Sequence, residues 1–270
     1  MTAPQFYERP SLNIETYDAR ATEIPGGDDI AFFRALAAEA GGPVLELGSG
    51  TGRVTLPVAE SRFEIVGLER SEAMRAFAGA KLAAGEGAVR ERVEFVPGDM
   101  ASFDLQRTFA LVIVPYRAFQ MLHTPEEQRS CLAAIRQHLT PGGRVALNLY
   151  DPWLDVLAPG GSPDDDREHF HEMIVEYPAT GNIVEVDTIS RETDQVRQLS
   201  TEIWVFREVD DAGETVREER ETLTMRWTYR YEMRYLLELS GFDVLAEYSD
   251  YDRAPPAYGG EQIWVARPRR

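Results

Sequence analysis

The chain has 270 residues, with 28 Lys+Arg against 46 Asp+Glu (net charge −18), 43% hydrophobic residues and one Cys. This is the composition of a globular chain long enough for a real core, and it excludes a disordered or fibrous one. Such an acid surplus repels polyanions at long range, so nucleic acid is disfavoured as a partner and a neutral or cationic small molecule is the easier ligand. No apolar run approaches a membrane-spanning helix, and Met1 to Pro10 has no signal-peptide apolar region. A lone Cys131 makes neither an intramolecular disulfide nor a Cys-based metal site, and the chain reads as cytoplasmic.

Residues 1–25 are polar and irregular, dotted with Phe6, Tyr7, Leu12, Ile14 and Tyr17, and read as an N-terminal flap. Gly26-Gly27-Asp28-Asp29 then opens a helix with Ile30, Phe33 and Leu36 on one face, stopped by Gly41-Gly42. From there the pattern alternates: a strand over 44–47, a helix over about 51–60, a strand over 63–68 and a helix opening at Ser71. Strands over 93–96 and 111–114, a helix after Thr124 and a strand over 145–150 follow. Short, nearly continuous apolar strands between helical segments predict a parallel sheet covered on both faces. The best-punctuated helix has Thr124 as N-cap, Pro125 in its first turn and Glu127 to complete a capping box, with Pro141-Gly142-Gly143 ending it. Cys131 lies on this helix and reads as a packed small residue.

After Tyr150 the grammar changes. Residues 157–168 are a Pro-, Gly- and Asp-rich loop, and segments 172–177, 182–189, 199–208 and 215–229 alternate with period two, as in Leu223, Met225, Trp227 and Tyr229. Asp210-Asp211-Ala212-Gly213 marks a hairpin. An antiparallel β insert is therefore expected over 151–229, as a substrate lid or an oligomer interface. A helix over 231–240 and strands over 242–248 and 262–266 return to the first domain, which thus comprises 26–150 and 230–270. The sheet edges of the insert are candidates for self-association into a homodimer.

Val44-Leu45-Glu46-Leu47-Gly48-Ser49-Gly50-Thr51-Gly52 is a strand entering a glycine turn and then a helix, the context of a nucleotide site at a strand's carboxyl end. The spacing is G-x-G-x-G after an acidic residue, which is neither the pyrophosphate fingerprint of dehydrogenases nor a P-loop. Glu69, 17 residues past Gly52, ends the second strand, where a carboxylate can accept from both hydroxyls of a ribose. Gly98-Asp99-Met100 follows the third strand, with an acceptor for an exocyclic amine and a thioether for a purine face. Pro115-Tyr116 ends the fourth strand, across the crevice from the glycine loop.

These motifs, with Leu139-Thr140-Pro141-Gly142-Gly143-Arg144, resemble the class I S-adenosylmethionine-dependent methyltransferases. The resemblance covers about 44–150 and the tail from Tyr231. It implies an α/β, Rossmann-like fold with a seven-stranded, mostly parallel sheet, and S-adenosyl-L-methionine as cofactor. It implies cofactor contacts from Tyr17, Glu46, Gly48, Ser49, Gly50, Gly52, Arg53, Glu69, Arg70, Asp99, Met100 and Pro115. Glu46 and the glycine backbone would hold the methionyl part, Glu69 the ribose, and Asp99 with Met100 the adenine. Glu69 stands where Asp is commoner. The layout of flap and insert is similar to small-molecule N-methyltransferases acting on amino sugars, lincosamide-type antibiotics and glycine-like amines.

Topology brings Tyr116, Arg117, Phe119 and Gln120 after strand four, Tyr150 and Trp153 after strand five, and Tyr17 from the flap near the transferred methyl. Tyr116, Arg117, Phe119, Tyr150 and Trp153 are the candidate acceptor contacts; Tyr17, Tyr116 and His123 are the candidate catalytic residues, with His123 as the base if one is used. His138 reads as a helix-end residue, and His169 with His171 as part of an acidic surface loop, so no metal is assigned. The expected function is methyl transfer to a small-molecule acceptor, at an amine nitrogen. Transfer to a hydroxyl or carboxyl oxygen, and a non-catalytic cofactor-binding regulatory role, are the alternatives.

Overall fold

A computed structural model describes residues 3–21, 27–152 and 172–269. Trp153, His169, His171 and the loop at 157–168 lie outside the described residues.

The chain opens with two helical turns, α1 (Leu12–Glu15) and α2 (Tyr17–Arg20), where the sequence reads as irregular. Helix α3 (Asp29–Ala40) is capped by the Asp28 carboxylate, which accepts from Ala31 N at 2.9 Å, and ends at Gly41 in the left-handed region (φ 71°). Next come β1 (Val44–Leu47), α4 (Thr55–Glu60), β2 (Ile65–Glu69), α5 (Glu72–Ala84), α6 (Gly87–Arg90), β3 (Val93–Pro97) and β4 (Phe109–Val114). Helix α7 (Pro125–Gln137) carries the expected capping box, Glu127 N donating to Thr124 Oγ1 at 3.2 Å and Thr124 N to Glu127 Oε2 at 2.9 Å.

Strand β5 (Leu139–Tyr150) is longer than the sequence predicts, because Leu139 pairs with Phe109 before the glycines bulge out and Arg144 pairs with Leu111. Four antiparallel strands follow: β6 (Glu172–Glu176), β7 (Ile183–Asp194), β8 (Leu199–Val209) and β9 (Thr215–Arg226). Strand β9 stops before Trp227, and the expected alternation to Tyr229 fails because Tyr229 is the exposed N-cap of α8 (Arg230–Leu239). Strands β10 (Phe242–Tyr248) and β11 (Glu261–Pro268) close the chain.

The first sheet runs β10-β11-β5-β4-β1-β2-β3, parallel except for β11. Alternation along its central strands sends Leu45, Leu47, Val112 and Val114 into one apolar cluster and Val44, Leu111 and Ile113 into another, one on each face. The second sheet runs β6-β7-β8-β9 and forms a third cluster from Val184, Val186, Phe206 and Leu223. Phe6 and Leu12 complete that cluster, and Phe6 N and Thr222 N exchange bonds with Thr222 O (3.0 Å) and Pro4 O (2.7 Å). The N-terminal segment thus packs on the second sheet. No described helix is long and apolar enough to cross a membrane.

Candidate functional site

The strand order of the first sheet reverses between β1 and β4, and the crevice outside their carboxyl ends is where open α/β sheets bind ligands. Here the crevice is roofed by the second sheet and the N-terminal segment, giving a cavity of about 1100 Å³.

Three glycines bend the chain at the end of β1, with φ of 70° at Gly48, 54° at Gly50 and 76° at Gly52. The requirement is also steric: a Cβ at Gly48 would meet Ala118 Cβ at 2.9 Å and Met100 Cε at 3.2 Å. Glu69 Oε2 accepts from Gly50 N at 3.0 Å and Oε1 from Ser71 N at 2.7 Å. These two bonds fix the carboxylate on the cavity wall and leave further lone pairs on both oxygens, the donor-seeking arrangement that a ribose diol fits. Glu46 is buried and accepts from Thr55 Oγ1 at 2.5 Å; burial pushes its pKa up to about 8, against the opposing pull of Thr55 and Arg53.

Arg53 is clamped by Asp29 (2.8 and 2.5 Å) and lies 5.0 Å over the Tyr116 ring. Tyr116 and Arg117 both adopt left-handed φ, 50° and 64°, which turns the chain sharply out of β4 and sets Tyr116 edge-on to Tyr17 at 5.8 Å. Burial raises the Tyr17 phenol well above its ordinary pKa. The segment carrying Tyr17 is tied to the glycine loop by Thr51 Oγ1 to Asp18 Oδ1 at 2.5 Å, to α5 by an ion pair between Lys81 and Asp18, and to the start of α5 by Ser71 Oγ donating to Tyr7 O.

Of the residues singled out from sequence, Tyr17, Glu46, Gly48, Ser49, Gly50, Arg53, Glu69, Arg70, Asp99, Met100, Pro115, Tyr116, Arg117 and Tyr150 all line this one cavity. Three do not. Gly52 turns away from it, its missing Cβ making room for Phe95 at 2.8 Å. Phe119 is fully buried in the core beside α7. His123 is held off the cavity by Thr224 O, 2.8 Å from its Nε2; a carbonyl only accepts, so that nitrogen carries the proton. Cys131 is buried and its thiol raised by burial, as a packed residue should be.

The wall also includes residues that the sequence does not mark as site residues, among them Phe6, Tyr7 and Arg20 from the N-terminal segment, Asp151 and Glu261 near the end of β5, and Arg191, Glu202 and Trp204 from the second sheet. The available signal was Glu202 between Ser200 and Trp204 on the alternation of β8, a carboxylate on an otherwise inward-facing row.

Comparison with known proteins decides the family. Residues 44–143 match the model of a methyltransferase domain. Demethylmenaquinone methyltransferase of Clavibacter sepedonicus is 30% identical over 60% of this chain and 71% of its own length. The chain belongs to the class I S-adenosylmethionine-dependent methyltransferases. The cypemycin N-terminal methyltransferase of a Streptomyces species is 25% identical to this methyltransferase over the full length of both chains. The S-adenosylmethionine-bound amino pentose methyltransferase CalS10 of Micromonospora echinaspora shares the fold (TM-score 0.68, 24% identity, 95% of this chain and 96% of that one). The cofactor of this methyltransferase is S-adenosylmethionine.

Proposed function

We propose that this methyltransferase transfers its methyl group to an amine nitrogen of a small molecule. The observation that carries the reading is the shared cavity, one wall built from the glycine-loop end of the parallel sheet and the other from an aromatic, acid-bearing face of the antiparallel sheet. S-adenosylmethionine, when bound, supplies a sulfonium methyl open to in-line displacement. Glu69 takes the ribose hydroxyls, Asp99 and Met100 the adenine, and Glu46, Arg53 and the glycine backbone the methionyl end. Burial raises the pKa of Glu46, and a cationic group brought beside it shifts the carboxyl back toward its ionised form. Tyr17 and Tyr116 close over the reacting centre, and the N-terminal segment with the second sheet keeps water out.

A neutral amine is already a competent nucleophile, so holding it in line at about 3 Å suffices. A hydroxyl acceptor normally wants a base, and the histidine expected for that task is engaged with Thr224 away from the cavity. The names of two compared proteins point the same way, to a peptide N-terminus and to an amino pentose.

The test is a panel of N-terminally free peptides, amino sugars and aralkyl amines, each paired with its hydroxyl counterpart and read by acceptor mass and S-adenosylhomocysteine release. Amines turn over and their hydroxyl counterparts do not. Turnover confined to the hydroxyl compounds overturns the nitrogen reading.

A further inference from the structure

Strand β8 presents Ser200, Glu202 and Trp204 to the cavity, with Glu202 opposite Arg191 of β7 and Leu223 of β9. Glu202 is only 7% exposed, and both its oxygens are held: Oε1 accepts from Arg191 Nε and Oε2 from Trp204 Nε1, each at 2.7 Å. One donor lies across the strand pair and the other two residues along β8, and a carboxylate has about four lone-pair sites, so acceptor capacity remains on each oxygen. Leu223, opposite it on β9, and Met225 on the same cavity wall are apolar, and Arg191 is already beside it, so an ammonium ion shares the carboxylate with that guanidinium in a poorly solvated setting. Across the whole wall carboxylates outnumber guanidinium groups eight to five. The Glu202 charge reaches Tyr150, whose phenol is pushed up to about 12 by burial and then by Glu202.

The fold itself does not call for a carboxylate at this position. A cross-strand ion pair in a dry setting is commonly no more stable than apolar side chains of the same size, and the rest of this face shows that such side chains fit. A ligand explains it better.

We propose that Glu202 is the counter-ion that selects and orients the acceptor's amino group, and that the acceptor is a primary or secondary aliphatic amine on an apolar body. The proposal rests on the nitrogen reading above. At neutral pH such an amine enters as an ammonium ion, matched by the carboxylate and by the face of the Trp204 indole. The proton is lost to water; a remaining N–H then donates to Glu202, which leaves the lone pair directed away from the carboxylate for transfer. The N–C bond forms as the C–S bond breaks, and the product is the methylated ammonium with neutral S-adenosylhomocysteine. A hydroxyl acceptor brings no second cation to the Glu202–Arg191 pair, so the same residue favours the amine over it.

The experiment uses full-length Glu202→Gln protein and the amine turned over fastest in the panel. KM for the amine rises about tenfold or more, while affinity for S-adenosylhomocysteine stays within about twofold. The pH profile adds a readout that a merely structural role would not move. A neighbouring anion favours the charged form of the bound amine, so the pH at which kcat reaches half its plateau falls in the variant. An unchanged amine KM with an unmoved midpoint overturns the proposal. Wild-type protein provides a control independent of the variant's folding. The quaternary form of the same amine inhibits at least about tenfold better than its uncharged tert-butyl counterpart, and equal inhibition overturns the proposal. Amine turnover with an unaffected Glu202→Gln variant defeats this inference alone, whereas turnover confined to hydroxyl acceptors defeats the nitrogen reading and this one together.

Discussion

The two walls of the cavity are built on opposite plans. At the glycine loop the backbone itself forms the surface, and the few side chains involved sit at consecutive strand ends, with Glu69 pinned by the backbone N–H groups of Gly50 and Ser71. On the antiparallel sheet the surface is made of side chains that alternate along strands and meet both across them, as Arg191 meets Glu202, and two places along one, as Trp204 does. A wall made of backbone serves a constant ligand, because its shape changes little with sequence. A wall made of side chains is re-tailored by single substitutions, which suits the partner that varies between related enzymes.

The comparison is broken most severely at the joint between the walls. Arg53 and Asp29, 9% and 2% exposed, form the pair that holds α3 to the end of the glycine loop. Removing the arginine in Arg53→Ala strands a buried carboxylate and costs about 3–5 kcal/mol, a fall of roughly 10 °C in melting temperature. A fall below about 2 °C in calorimetry means that the pair does not carry that joint.

A smaller effect separates the walls by ligand. In Glu69→Ala the ribose loses its charge-assisted acceptors, and affinity for S-adenosylhomocysteine drops by about 1.5–3 kcal/mol, tenfold or more. Titration calorimetry returning wild-type affinity removes Glu69 from the cofactor wall.

The smallest effect is expected where sequence reading placed a base and the fold did not. His123→Ala leaves kcat within about twofold and lowers stability by about 1 kcal/mol, since one hydrogen bond to Thr224 O is lost. A loss of about 10² or more in kcat, with the fold intact, restores His123 to the chemistry and favours an oxygen acceptor.

Much of the fold was legible before any coordinates. The capping box of Thr124 and Glu127, the N-cap at Ser71 and the apolar strand over 44–47 are set by contacts within a few residues, so local sequence specifies them. The boundaries drawn differently depended on distant partners. Strand β5 starts at Leu139 because Phe109 pairs with it, and the N-terminal segment becomes helical where Leu12 and Phe6 find the second sheet. Phe119 and His123 were misplaced for one reason: proximity in sequence to the end of β4 does not fix the direction of a side chain after the two left-handed residues Tyr116 and Arg117.

By itself the sequence determined the parallel sheet, the glycine turn and the acidic residues at successive strand ends, because alternation, left-handed backbone and strand termini are properties of short stretches of chain. It also marked most of the residues that meet at the glycine-loop wall of the cavity, for the same reason. Only the tertiary structure decided the opposite wall: which face of β8 looks into the cavity, that Arg191 lies across from Glu202, and that His123 turns to Thr224. Those facts depend on the register between strands and on how one sheet is docked on another, and no period or motif along the chain encodes either.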